Sequence, residues 1–153
     1  MEGSLKKLLL LATVFIMKDV TYQSVSRRYI LITHQEMSWS EARSYCRTFY
    51  SDLATIATER DFNEVASLPQ NTTFWIGLYD DVNSWDWSLV GELFNPPGDK
   101  RYRRWQEGQP DNARSAQHCV ALSKSGTWTD ESCSTAITYP LCYGVRTKQR
   151  LEF

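Results

Sequence analysis

The chain has 153 residues, enough for one domain with short tails, and its 42% hydrophobic and 23% charged content is ordinary for a packed globular protein. A formal net charge of −1 excludes a global electrostatic pull toward nucleic acid or an anionic membrane. Six Trp and eight Tyr lift the aromatic share to 13%, as suits a loop-rich domain whose core is built from a few large side chains.

Lys6 and Lys7 precede an apolar run from Leu8 to Met17, closed by Lys18 and Asp19. A positive flank before such a run reads as a secretory signal, and leucines pointing in all directions do not make one helix face. The run falls short of the roughly 20 apolar residues needed to cross a bilayer. No second hydrophobic segment follows, so no membrane span is expected. Residues 1–26 are therefore expected to be signal peptide and leader, 27–143 the folded domain and 144–153 a short basic tail.

Tyr29–Ile32 is β-branched and aromatic enough for a strand. Ser38-Trp39-Ser40-Glu41 reads as a capping box. Behind it Trp39, Ala42, Tyr45, Cys46 and Phe49 recur at helical spacing, which predicts a helix burying one stripe and presenting Cys46 to the core. A second helix is predicted from Thr58 through Phe62, Val65 and Ala66, stopped by Pro69. Phe74–Leu78 is a continuous apolar run of strand length, expected to be buried on both faces.

From Tyr79 to Gln117 the chain carries Asp, Asn, Gly and Pro with isolated aromatics, and Pro96-Pro97-Gly98 marks a turn. Such a stretch is expected to be long functional loop. Strand signals return at Cys119–Leu122, around Trp128, and at Tyr139–Tyr143. The pattern is α+β: helices grouped early, antiparallel strands late.

Four Cys remain, Cys46, Cys119, Cys133 and Cys142. An even count behind a secretory signal implies disulfides, although spacing alone leaves the pairing open. None sits in Cys-x-x-Cys spacing, which argues against zinc. Catalysis is not expected: His34 and His118 have no metal-ligand spacing, no nucleophile elbow, P-loop or zincin helix occurs, and Asp80-Asp81 reads as solvated loop carboxylates.

The ordered motifs resemble the C-type lectin-like superfamily. They are Ser38 to Cys46 with Asp52-Leu53-Ala54, Trp75-Ile76-Gly77-Leu78, Gly108-Gln109-Pro110-Asp111, Cys119, Gly126-Thr127-Trp128-Thr129-Asp130, Cys133 and Pro140-Leu141-Cys142. The match runs from about Tyr29 to Tyr143, and looks nearest to single-domain secreted lectins and domains of mannose-receptor-like proteins. The resemblance implies a C-type lectin-like fold, two helices packed on antiparallel strands beside a long loop region. It also implies the pairs Cys46–Cys142 and Cys119–Cys133.

Sugar-binding members hold a calcium ion in the long loop region, and sugar hydroxyls coordinate it. Carried over residue by residue, the resemblance implies a carbohydrate- and calcium-binding set of Gln109, Asp111, Gln117, Thr129 and Asp130. Gln109-Pro110-Asp111 is the galactose-type triplet, with a Pro that is typically cis. Gln117 stands where the family has Glu, and Thr129 where it has Asn; neutral ligands weaken calcium binding. Glu107 and Glu131 lie close enough in sequence to compensate. Where galactose-type sites stack an aromatic, Asn112-Ala113-Arg114 follows. The implied function is a secreted, extracellular, calcium-assisted carbohydrate-recognition domain for a glycan or glycoprotein. The alternative is a calcium-independent module for a protein or other non-sugar ligand.

Trp75, Trp105 and Trp128 are expected in the core, whereas Trp85 and Trp87, in the loop region, are the better candidates for exposed contact. Arg101-Tyr102-Arg103-Arg104 is a basic run with an aromatic inside it; a solvated face is the default, and a grip on sulfated glycans the sharper reading. Asn71-Thr72-Thr73 is a glycosylation sequon before a strand.

Overall fold

The computed structural model describes residues 29–69, 71–80, 85–89 and 101–144. The expected leader, Asp81, the Pro96–Gly98 turn and the tail beyond Gly144 lie outside the described residues.

Strand β1 (Tyr29–Leu31) leads to helix α1 (Trp39–Phe49), strand β2 (Asp52–Leu53) and helix α2 (Glu59–Ala66). Strands β3 (Phe74–Asp80), β4 (Trp85–Trp87), β5 (Cys119–Leu122), β6 (Trp128–Glu131) and β7 (Tyr139–Tyr143) complete the fold. The sheet runs β1-β7-β3-β5-β6, with β2 also on β7 and β4 also on β3. Its pairings are antiparallel except β3 with β7, where Phe74 faces Tyr139 and Trp75 faces Pro140 in parallel.

Both helices start where their caps dictate. The Ser38 hydroxyl accepts the Glu41 N–H, and the Glu41 carboxylate accepts the Ser38 N–H at 2.8 Å. That satisfies amide donors otherwise orphaned at a helix start. The stripe on α1 buries Trp39, Ala42 and Cys46, while Tyr45 and Phe49 are half-buried. In α2 the Thr58 side chain accepts the Asp61 N–H, and the helix ends at Ala66, just before Pro69.

Strand β3 separates two apolar clusters, because successive side chains point to opposite faces. Phe74, Ile76 and Leu78 pack with Trp87, Val120, Leu122 and Trp128. Trp75 packs on the other side with Trp39, Leu53, Ala121 and the cystines. Trp39 and Trp75 bury their indole N–H groups on the Ile76 and Met37 carbonyls, each at 2.8 Å.

The disulfides are Cys46–Cys142, spanning 96 residues, and Cys119–Cys133, spanning 14. In the chain-entropy view, closing loops of these sizes stabilises by about 4.7 and about 3 kcal/mol. The first joins α1 to β7; the second joins β5 to the segment after β6.

Two expectations about the loop region need correction. Trp85–Trp87 is not loop but β4, a hairpin partner of β3 in which Leu78 faces Trp87 and Asp80 faces Trp85. Trp87 is 2% exposed and meets Trp128 edge-on; Trp85 is half-buried against Trp105. Neither is an exposed platform, because pairing with β3 turns Trp87 into the core. Nor does the basic run present a free cationic face. Arg103 donates to the Trp85 and Tyr102 carbonyls, and Arg104 lies 3.7 Å over the Phe62 ring with its guanidinium on Glu59. Tyr102 donates to Glu59 at 2.7 Å, so this segment is fastened to the start of α2.

Candidate functional site: the loop closed over β6

Strand β6 alternates, with Trp128 and Asp130 buried and Thr129 and Glu131 partly exposed. Asp130, opposite Val120 of β5, is only 1% exposed. A carboxylate so buried needs partners. They come from the loop before β5. Trp105 bridges to Trp128, and the Gln106 N–H donates to the Trp128 carbonyl at 2.9 Å. Gly108, at φ +81°, turns the chain, and the Gln109–Pro110 bond is cis. The following amides then point at Asp130: Asp111 N–H to Oδ1 at 3.1 Å and Asn112 N–H to Oδ2 at 2.6 Å. In return the Asp130 N–H donates to the Gln109 side-chain oxygen at 3.3 Å.

The outer half of the loop is closed by the same device. The Ala113 N–H donates to Gln117 Oε1 at 2.6 Å and to Asp111 Oδ1 at 3.1 Å. The Gln117 N–H donates to Asn112 Oδ1 at 3.1 Å. Asn112, Arg114 and Ser115 sit at φ 42°, 59° and 53°. Left-handed backbone at non-glycine residues costs of order 1–3 kcal/mol each and persists only where the surroundings over-determine it. Here the closing hydrogen bonds do so.

Four of the five residues singled out from the sequence, Gln109, Asp111, Gln117 and Asp130, therefore join one network. Thr129 does not: its hydroxyl donates to Glu131 at 3.2 Å. Glu107 is exposed. The residue that sequence reading missed is Asn112, which donates from its backbone to Asp130 and accepts from Gln117. Its signal was the ease with which Asn adopts left-handed backbone. Elsewhere, Asn71 is exposed just before β3, and His118 Nδ1 lies 3.4 Å from Asp80 Oδ2.

Calcium takes about six to eight oxygen ligands and binds more weakly as their charge falls. In this arrangement both oxygens of Asp130, one of Asp111, and the side-chain oxygens of Gln109 and Gln117 all face backbone N–H groups. Each of these oxygens already accepts an amide hydrogen, and only two of the four side chains are carboxylates, so the residues as arranged do not fit the ion. Among the described residues, no three His, Cys, Asp or Glu side chains cluster as a metal site.

What remains free is a hydrogen-bonding edge. Asp111 keeps its Oδ2, and the side-chain NH₂ groups of Gln109, Asn112 and Gln117 and the exposed Arg114 guanidinium have no partner among the described residues. One carboxylate oxygen beside several donors suits ligands whose groups both give and accept hydrogen bonds.

The sequence profile of the Lectin C-type domain matches residues 35–143. L-selectin of Rattus norvegicus is 32% identical over 118 residues, which is 72% of this chain and 30% of that protein. Hepatic lectin of Gallus gallus is 30% identical over 103 residues, 67% of this chain and 48% of that protein. The chain thus spans under half the length of these relatives. Among solved structures, the cow C-type carbohydrate-recognition domain of CD23 superposes with TM-score 0.65 at 25% identity, covering 80% of this chain and 90% of that one. The lectin family and these relatives are binding proteins rather than enzymes. With its motifs in register, its cystine pairs joined and its loop closed over β6, this chain belongs to the C-type lectin domain family.

Proposed function

We propose that this chain recognises glycans through the Gln109–Gln117 loop, by direct hydrogen bonds from the Asp111 carboxylate and the amides and guanidinium around it. The observation that carries this reading is the loop edge itself: its backbone is pinned to Asp130, yet among the described residues Asp111 Oδ2 and three amide NH₂ groups stay unspent. Adjacent sugar hydroxyls each donate and accept, which matches an edge of mixed polarity. A pinned loop also lowers the ordering cost of binding. The relatives support a sugar ligand, since hepatic lectin carries the name and the CD23 carbohydrate-recognition domain was solved in the presence of a GlcNAc2Man3 oligosaccharide. Gln109-Pro110-Asp111 resembles the galactose-type triplet, which makes galactose-terminated glycans the first ligands to offer. The calcium assistance that the resemblance implies is not part of this reading, because the oxygens it needs face amides.

The two disulfides favour folding in an oxidising compartment, and with the Lys6–Met17 leader they support secretion. No described helix is long and apolar enough to cross a membrane. In that setting the exposed Asn71 sequon is a glycosylation acceptor. A second reading, a module for a protein or other non-sugar ligand, draws on Ala113-Arg114, where a sugar-stacking aromatic would otherwise stand.

Binding to immobilised glycans separates the two. Asp111→Ala removes the free carboxylate oxygen from an exposed position and is expected to cut galactose-glycan binding at least about tenfold, equivalent to about 1.4 kcal/mol. Undiminished binding by a folded Asp111→Ala protein, or no glycan bound by the native chain, would overturn the proposal.

A further inference from the structure

We infer that the Gln109–Gln117 loop holds its shape without calcium, because three successive backbone amides supply the positive charge density that a cation would otherwise supply. Asp111, Asn112 and Ala113 all direct their N–H groups into the oxygen cluster, at 3.1 and 2.6 Å to Asp130 and 2.6 Å to Gln117. Successive N–H groups converging around a left-handed residue form a nest, a concavity that binds anions. In this chain the nest is filled from within by the buried carboxylate of Asp130, and Asn112 at φ 42° is the left-handed residue that shapes it.

The charge count agrees. Only Asp111 and Asp130 bring carboxylates to the network, and Gln117 and Thr129 are neutral. Asp130 already spends both its oxygens on amide hydrogens and Asp111 spends one, and two carboxylates among otherwise neutral ligands leave little field to draw a doubly charged ion out of water. The Thr129 hydroxyl, turned to Glu131, adds nothing to the cluster. Asp130 therefore works as a structural anion that closes the loop from below, and the outer edge of the loop is free for the ligand. For its consequence in binding, this inference rests on the glycan reading above; for loop stability it does not.

The test is the melting temperature of the full chain in chelator and in millimolar calcium. An ion bound only by the folded state, at about 100 times its dissociation constant, would raise the melting temperature by roughly 10 °C. The expected result is no resolvable shift. Asp130→Asn is expected to lower the melting temperature equally in both media. If that variant does not fold, Gln117→Ala, which breaks only the Ala113 bond, is read the same way. A calcium-induced rise in the native chain that either variant abolishes would overturn the inference. In parallel, galactose- and mannose-terminated glycans are offered with and without chelator. Binding that survives chelation supports the inference, and binding lost on chelation overturns it. Absence of glycan binding in both media refutes the glycan proposal, while the melting comparison still decides the role of calcium.

Discussion

Asp130→Ala removes the acceptor beneath the loop while leaving β6 its backbone pairing. Two charge-assisted hydrogen bonds disappear, from Asp111 and Asn112 at 3.1 and 2.6 Å. Bonds to a charged group contribute about 1.5–3 kcal/mol each when both ends are buried. Here the donors belong to an exposed and a half-buried residue, so water can take up the freed N–H groups, and the low end applies. Removing a carboxylate that is 1% exposed also relieves its desolvation cost. The net loss should be about 2–3 kcal/mol. Guanidinium unfolding followed by tryptophan fluorescence reads it as a midpoint lowered by roughly 0.5–1 M, with the slope unchanged. Asp130→Asn should cost about as much, since its NH₂ would confront an N–H donor. A loss below about 0.5 kcal/mol for Asp130→Ala would show that the carboxylate does not hold the loop.

Three further outcomes follow from the same structure. The Asp52 side chain is 2% exposed and its partner Arg47, at 2.9 Å, is 41% exposed; with the Leu53 N–H and the Ser88 hydroxyl still donating to Asp52, Arg47→Met should destabilise by about 1–2 kcal/mol in denaturant melts, and an unchanged midpoint would refute that. Bonds from the Ser38 hydroxyl and N–H hold the Glu41 carboxyl below its ordinary range. A folded value below the unfolded one means that this contribution is present above the usual carboxylate pKa and lost as pH falls through the folded value. Glu41→Gln should therefore flatten the acid side of the stability profile, and an unaltered profile would exclude the capping bond as its source. Replacing Cys46 and Cys142 together should cost about 4 kcal/mol, more than replacing Cys119 and Cys133, because the closed loop spans 96 residues against 14. The reverse order in calorimetry would point to native-state packing rather than loop closure.

Local chemistry made much of the fold legible. Ser38 and Glu41 announce α1, because the donors they satisfy are exposed by any helix start. Phe74–Leu78 announces a strand buried on both faces, because no polar residue interrupts it. The Trp-Asp-Trp strand β4 was not legible: three residues among Asp, Asn and Ser give too short an alternation, and only pairing with β3 shows that Trp87 faces inward. The partners of the basic run were hidden for a related reason, since Glu59 and Phe62, which engage Arg104, lie some forty residues earlier in the chain.

The sequence by itself determined which residues line the loop and which cysteines were available, since motif order and residue chemistry are written along the chain. The tertiary structure alone decided what the loop oxygens do. Whether Asp130 faces a cation or an amide depends on where a segment some twenty residues upstream directs its N–H groups. That direction is set by the Gly108 turn, by the pairing of β5 with β6, and by the left-handed backbone at Asn112, none of which composition or spacing records.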